Sequence, residues 1–345
     1  MNFTDFKARA DDDGKRLDRV LKKILGDGGM SVHALLRKKL IRVNGEKAEH
    51  SMRLSDGDTV QIASFLLEGR SANEDGAEIP GGVDGRTGSV QGTAGLDTVF
   101  RNGHLWVINK KSGMRVQEDI APLVMDLSPG ENRSLSFTPA PLHRTDRLTS
   151  GLLVCSQSAR GAEWFSHLLR EDSRARTDEY EADVPSGGIR KFYLAVAEGS
   201  ISGSLTLENL IQTDDAPRGG FSTVRVFPAS DRNSCGKPAR TIIVPLAHGS
   251  CGGKELTLIQ AQILSGRKHQ IRAQCAYHGT PLFGDSVYGS SAGTGGKFLL
   301  HASCMTFPEN DLGIPERLTA PLPADFLRAL ISFGIPPEAA RLSPC

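Results

Sequence analysis

The residues best equipped for chemistry lie in three short stretches. The first, His143-Arg144-Thr145-Asp146-Arg147-Leu148-Thr149-Ser150-Gly151-Leu152-Leu153-Val154, sets a carboxylate between two guanidinium groups, followed by small hydroxyls, a glycine and an apolar run. Adjacent cations favour an ionised carboxylate, the form a nucleophile needs at neutral pH. Taken alone, an aspartate between arginines is more often a structural ion pair or a turn cap.

The second stretch, Lys191-Phe192-Tyr193-Leu194-Ala195-Val196, reads as a strand. Its alternation puts Lys191, Tyr193 and Ala195 on one face and Phe192, Leu194 and Val196 on the other. Tyr193 offers a ring to stack on a base and a hydroxyl to exchange a proton; the plainer reading is a core tyrosine with a bonded hydroxyl. The third runs from Leu264 through Ser265-Gly266-Arg267-Lys268-His269-Gln270-Ile271-Arg272 to Gly279-Thr280-Pro281-Leu282-Phe283-Gly284-Asp285-Ser286-Val287-Tyr288-Gly289. Two arginines with an imidazole and an amide between them can anchor phosphate or hold a carboxylate bidentately. A solvated strand–helix junction is the alternative for Arg267, Lys268 and His269.

These stretches need elements to position them. From about Leu96 the pattern is many short β-like runs with a few helices, opening with Val99-Phe100 and Leu105–Ile108 around an Asn102-Gly103 turn. The fold class is α+β with a mainly antiparallel central sheet. Ahead of it lies a small α/β module. Leu17, Val20, Leu21, Ile24 and Leu25 recur at helical spacing. Ser31 is placed to cap a second helix. Ile41 and Val43 alternate into an Asn44-Gly45 hairpin turn, and Val60 and Ile62 resume the alternation after Asp56-Gly57. The expected domains are 1–66 (core 14–63), a flexible Gly-rich linker over 67–95, and a catalytic domain over 96–345. An acidic insertion spans about 171–190, carrying Glu171, Asp172, Asp178, Glu179, Glu181 and Asp183.

The first stretch resembles the active-site signature of the RluA-type RNA pseudouridine synthases, H-R-L-D-R-x-T-S-G-L, departing only at Thr145, where the family usually has Leu. The second resembles the family's K-x-Y-x-A strand, and the third its G-R-x-H-Q-I-R … G-x-P-x-x-G-D-x-x-Y-G. The Gly236–Thr241 segment and Leu300-His301-Ala302 also resemble family segments. The N-terminal module, through Lys15–Asp18 and Leu36–Gly45, is similar to the RNA-binding domain of the fourth protein of the small ribosomal subunit. The resemblance runs from Gly14 to about Pro308 and leans toward the RluC and RluD branches, which act on large-subunit ribosomal RNA.

The resemblance implies the pseudouridine synthase fold and the isomerisation of uridine to pseudouridine, with uracil detached, turned and rejoined through carbon five. Asp146 would be the nucleophile, attacking the anomeric carbon or removing a sugar proton to give a glycal. Arg272 would pair with Asp146, and Ile271 would pack on the reacting base. Tyr193 would stack on the flipped uracil and take the proton from carbon five. Arg144 would fill the vacated place in the RNA stack. Arg147, Arg267 and His269 would contact the substrate, and Arg16, Arg37, Lys38 and Arg42 of the N-terminal module would contact phosphates. No metal or organic cofactor is expected.

Bulk properties agree with this reading and narrow it. Hydrophobic residues make up 39% of the 345, enough for a buried core. No apolar run approaches membrane-spanning length, and Met1–Phe6 lack a basic region leading into an apolar one, so a cytoplasmic monomer is expected. The six cysteines are scattered and read as free thiols. Net charge is only +1, but ten basic and three acidic residues lie between Lys15 and Lys47, a local attractor for phosphate. A zinc deaminase would need H-x-E with P-C-x-x-C, and neither is present. A catalytically silent RNA-binding or ribosome-assembly factor and a synthase acting on transfer RNA are the alternatives.

Overall fold

The computed structural model describes residues 2–26, 31–67, 95–130, 133–174, 188–214, 223–231, 233–292 and 297–341. Most of the expected linker (68–94) and of the acidic insertion (175–187) lies outside the described residues. By packing, the chain divides into two units. One comprises residues 1–95, 124–140 and 156–161; the other comprises 96–123, 141–155 and 162–345.

The first unit is a four-stranded antiparallel sheet with two helices. Its strands are β1 (Phe3–Lys7), β2 (Ile41–Val43), β3 (Glu46–Lys47) and β4 (Thr59–Ala63), in the order β1-β4-β2-β3. The sequence reading set this domain at 1–66 with its core at 14–63 and read no strand over residues 3–7, where β1 pairs along the whole of β4. Helix α1 (Leu17–Leu25) is only nine residues long, too short to persist alone in water. Its stability comes from Leu17, Val20, Leu21 and Leu25, all buried, each contributing roughly 1.5–3 kcal/mol on full burial. Helix α2 (Val32–Arg37) is capped by Ser31, whose hydroxyl accepts from Ala34 N–H at 3.3 Å. At the β2–β3 turn, Asn44 and Gly45 both have positive φ (52° and 81°), the backbone that a two-residue hairpin requires. A contact that local pattern does not announce joins this unit to its inserted segment. The buried Asp12 carboxylate accepts from Arg9 N, Leu135 N, Ser136 N and the hydroxyls of Ser134 and Ser136.

The second unit is built on one large sheet. Its strands are β5 (Thr98–Arg101), β6 (Leu105–Lys110), β7 (Ser150–Ser156), β8 (Arg190–Glu198), β9 (Leu205–Thr213), β10 (Val224–Pro228), β11 (Lys237–Cys251), β12 (Lys254–Ile263), β13 (Leu300–Thr306) and β14 (Arg317–Thr319). The order is β10-β9-β11-β12-β8-β13-β7-β6-β5, with β14 added to β13. Pairing is antiparallel from β10 to β13, whereas β13 and β7 run parallel. The further α-helices among the described residues are α3 (Ala121–Leu127), α4 (Ala159–Arg174), α5 (Gln270–Tyr277) and α6 (Ala324–Ser332). Residues 171–174, read from sequence as the start of the insertion, close α4, and Arg190 opens β8.

Alternation on β8 divides the core between two faces. Tyr193, Ala195 and Ala197 join Leu105, Val107, Leu152, Val154 and Phe165 on one; Leu194 and Val196 join Phe326, Leu330 and Phe333 on the other. Among the described cysteines all are free, with Cys155, Cys275 and Cys304 buried. No helix among the described residues is long and apolar enough to cross a membrane.

Candidate active site

Beside the central strands of the second unit lies a cleft of about 380 Å³. Three segments far apart in sequence supply most of its lining, the residues leading into β7, the start of β8, and the junction from β12 into α5, and Leu169 of α4 and Leu300 of β13 complete it. They bring together Arg144, Asp146, Tyr193, Arg267, His269, Ile271 and Arg272. Arg147 is not part of the lining. Its side chain is exposed, and its carbonyl accepts from Gly113 N–H. Arg16, Arg37, Lys38 and Arg42 belong to the other unit. There Arg16 is paired with Asp18 at 2.8 Å, the Arg42 guanidinium lies over the Phe3 ring, and Arg37 and Lys38 are exposed.

The cation that holds Asp146 is not one of its sequence neighbours. Arg272 Nη1 donates to Asp146 Oδ2 at 3.0 Å. The same guanidinium is clamped from behind by Asp285, with Nε to Oδ2 at 2.7 Å and Nη2 to Oδ1 at 3.0 Å. It packs over the rings of Phe298 (4.2 Å) and Tyr288 (5.0 Å). Arg272 and Asp285 are 5% and 1% exposed, whereas the Asp146 side chain keeps 23% of its surface toward the cleft. Burial pulls the Arg272 guanidinium down, but hydrogen bonds and charge from Asp285 and Asp146 outweigh it and hold the group above its ordinary value. A planar, permanently charged fork suits this position because it serves two carboxylates in fixed directions.

The loop that presents Asp146 is held from both ends. At the β7 end, Gly151 has φ +102°, and a Cβ there would come within 2.2 Å of the Ala302 carbonyl oxygen on parallel β13. Only glycine allows the two strands this close approach. Ser150 Oγ donates to His301 Nδ1 at 2.9 Å while His301 Nε2 reaches Ala320 O at 3.3 Å, and burial pushes His301 down to about 4, so the ring is a neutral strut. His143 is likewise structural. Burial lowers it to about 3, and its Nε2 accepts from Val154 N–H at 3.0 Å. Thr145 differs from the usual family residue, and its hydroxyl is buried with no hydrogen-bond partner.

A family model described as RNA pseudouridylate synthase matches residues 104–277, just over half of the chain and all three stretches of the cleft as far as α5. The chain belongs to this family. Among curated relatives it is 28% identical to ribosomal large subunit pseudouridine synthase C of Escherichia coli (strain K12), over 93% of each chain. It is 26% identical to the protein of that name from Vibrio vulnificus (strain CMCP6), over 90% of each. A solved structure of human RNA pseudouridylate synthase domain containing 4 shares the fold, with a TM-score of 0.51 and 19% identity over 69% of this chain and 93% of that one. The protein is an RNA pseudouridine synthase, an isomerase, with the mixed α+β fold of its family.

Two residues of this synthase were given no role from sequence. Asp285 stood in a quoted motif, yet nothing local tied it to Arg272. Lys110, 1% exposed at the end of β6, donates from Nζ to the carbonyls of Lys111, Met114 and Arg147 at 3.1–3.2 Å. Burial lowers it to about 8, against the opposing charge of Asp146 and Asp119. The available signal was a lysine closing a strand whose first four residues are apolar. Tyr193 also needs a refined reading. Burial, and secondarily the Asp146 carboxylate, push its phenol well above the ordinary range. It therefore stands protonated at neutral pH, and can take a proton only while passing its own on.

Proposed function

We propose that this synthase isomerises uridines in large-subunit ribosomal RNA with Asp146 as nucleophile. The observation that carries the reading is the placement of Asp146 in the cleft. One oxygen is pinned by a buried, doubly clamped Arg272, and the carboxylate keeps an open side toward Tyr193 and Ile271. A uridine inside folded RNA must first leave its helix, at a cost of a few kcal/mol. Arg144, exposed at the rim, is suited to fill the vacated place, and Tyr193 to stack on the uracil for about 1–3 kcal/mol. The N1–C1′ bond then breaks, the C5–C1′ bond forms, the C5 proton leaves through the Tyr193 hydroxyl as that group passes its own proton to solvent, and N1 takes up a proton from solvent, so that no net proton is gained or lost. Asp146 serves either by attacking C1′ or by removing the C2′ proton.

The ribosomal substrate class rests on the names of the relatives. The N-terminal module resembles the domain of the fourth small-subunit ribosomal protein in its two helices followed by a hairpin. With Arg37 and Lys38 exposed on it, the module would add phosphate contacts that raise affinity and salt dependence without reading bases. Residues 67–95 would tether it to the catalytic domain. Asp146→Asn tests the central claim. RNA binding should survive while pseudouridine formation stops, and an active D146N protein overturns it. Pseudouridine maps of RNA from cells with and without the gene decide the substrate. Sites lost only from transfer RNA would refute the ribosomal assignment.

A further inference from the structure

His269 sits where β12 gives way to α5, with a left-handed backbone (φ 52°, ψ 22°), uncommon outside glycine although histidine, like asparagine and aspartate, adopts it more readily than most side chains. Strain of this kind persists where the surroundings require it. Its ring is held on both sides. Nδ1 is 2.8 Å from the Tyr288 hydroxyl, and Nε2 is 3.7 Å from Asp146 Oδ1, the carboxylate oxygen that Arg272 does not bind. The Tyr288 oxygen already accepts Val224 N–H at 3.1 Å.

These contacts choose the tautomer. Burial lowers His269 to about 4, so at neutral pH the ring carries one N–H. Were that hydrogen on Nδ1, a bare nitrogen lone pair would face the carboxylate, and the Tyr288 proton would compete for the same side of the ring. With the hydrogen on Nε2, Tyr288 donates to Nδ1, its oxygen keeps Val224, and an N–H dipole points at Asp146. Only the second arrangement satisfies every group. We infer that Tyr288 and His269 form a positioning relay that aims an Nε2–H at Asp146 Oδ1 while Arg272 holds Oδ2. Rotation of the carboxylate is thereby blocked, and Oδ1 is the oxygen that reacts. At 3.7 Å the contact is longer than a hydrogen bond, as such contacts often are before substrate closes a site. The inference rests on the reading of Asp146 as nucleophile.

The test uses the full chain and total RNA from cells lacking the gene, which holds the target whatever its class. His269→Leu should slow single-turnover pseudouridine formation about 10- to 100-fold at protein concentrations that saturate the RNA. His269→Gln, which keeps a donor near the Nε2 position, should recover most of the rate. Tyr288→Phe should fall between. Equal rates for H269L and the unaltered protein, or H269Q as slow as H269L, overturn the relay. If D146N is inactive while H269L is fully active, the relay alone fails; an active D146N removes the nucleophile reading itself. Should H269L not fold, the nitrogen NMR signals of His269 in the unaltered protein decide, since a protonated Nδ1 at pH 7 contradicts the inference.

Discussion

Replacing Arg272 with Met separates the structural from the chemical part of the Arg272–Asp146–Asp285 cluster. Both oxygens of Asp285 are bound by Arg272, and Asp285 is 1% exposed. Losing the guanidinium strands a buried carboxylate, and breaking a buried pair in this way costs roughly 3–5 kcal/mol. Adding Asp285→Asn removes the stranded charge, so the double variant should regain most of that loss. Activity should not follow. In both variants Asp146 lacks its charged donor, a hydrogen bond worth about 1.5–3 kcal/mol, or roughly 10- to 150-fold in rate. Denaturant unfolding followed by tryptophan fluorescence is a clean monitor, because the chain's two tryptophans, Trp106 and Trp164, both lie in the catalytic unit. Pseudouridine formation is measured on the same preparations. An R272M protein as stable as the original, or a double variant whose activity returns with its stability, would refute the reasoning.

Two further outcomes follow from the loop that carries Asp146. Gly151→Ala should destabilise by about 2–5 kcal/mol, from positive-φ strain and the clash with Ala302 O, visible as a lowered unfolding midpoint; an unchanged midpoint contradicts the close β7–β13 approach. Lys110 titrates near 8 when folded against an ordinary value of 10.5. Between those values the unfolded chain binds the extra proton, so the contribution of Lys110 itself rises with pH across this window and is lost as pH falls through about 8, by an amount on the order of 3 kcal/mol, while the buried Cys155 and Cys275 thiols, pushed up to about 12, act in the opposite direction. The change in unfolding free energy between pH 7.5 and 10.5 should be more favourable in the original than in Lys110→Met by about that amount, the other titrating groups being common to both; equal changes would show that Lys110 is not linked.

Much was legible in local spacing. The 3.6-residue recurrence of Leu17, Val20, Leu21 and Leu25 described α1, and Ser31 and Asn44-Gly45 marked the next cap and turn. The period-2 pattern of Lys191–Val196 placed Tyr193 on the face opposite Leu194. The order of residue types around Asp146 pointed to the reaction. The helix, cap, turn and strand features depend on neighbours within a few positions, and backbone geometry makes them readable; the reaction was read through the resemblance of the Asp146 stretch to a family signature.

What surrounds Asp146 could not be read that way. Charge adjacency suggested Arg144 and Arg147 as its cations, and only the family resemblance named Arg272, 126 positions along the chain, which donates to Asp146 because the arrangement of β7, β13, β8 and β12 brings the start of α5 beside the β7 loop. The role of Asp285, the burial of Lys110 and the need for glycine at position 151 come from the same sheet order. None has a local signature, since each is set by which strands become neighbours. Burial, too, is a tertiary property. It makes His269 and His143 neutral and keeps the Tyr193 phenol protonated, and residue type alone does not show how much water each group has lost.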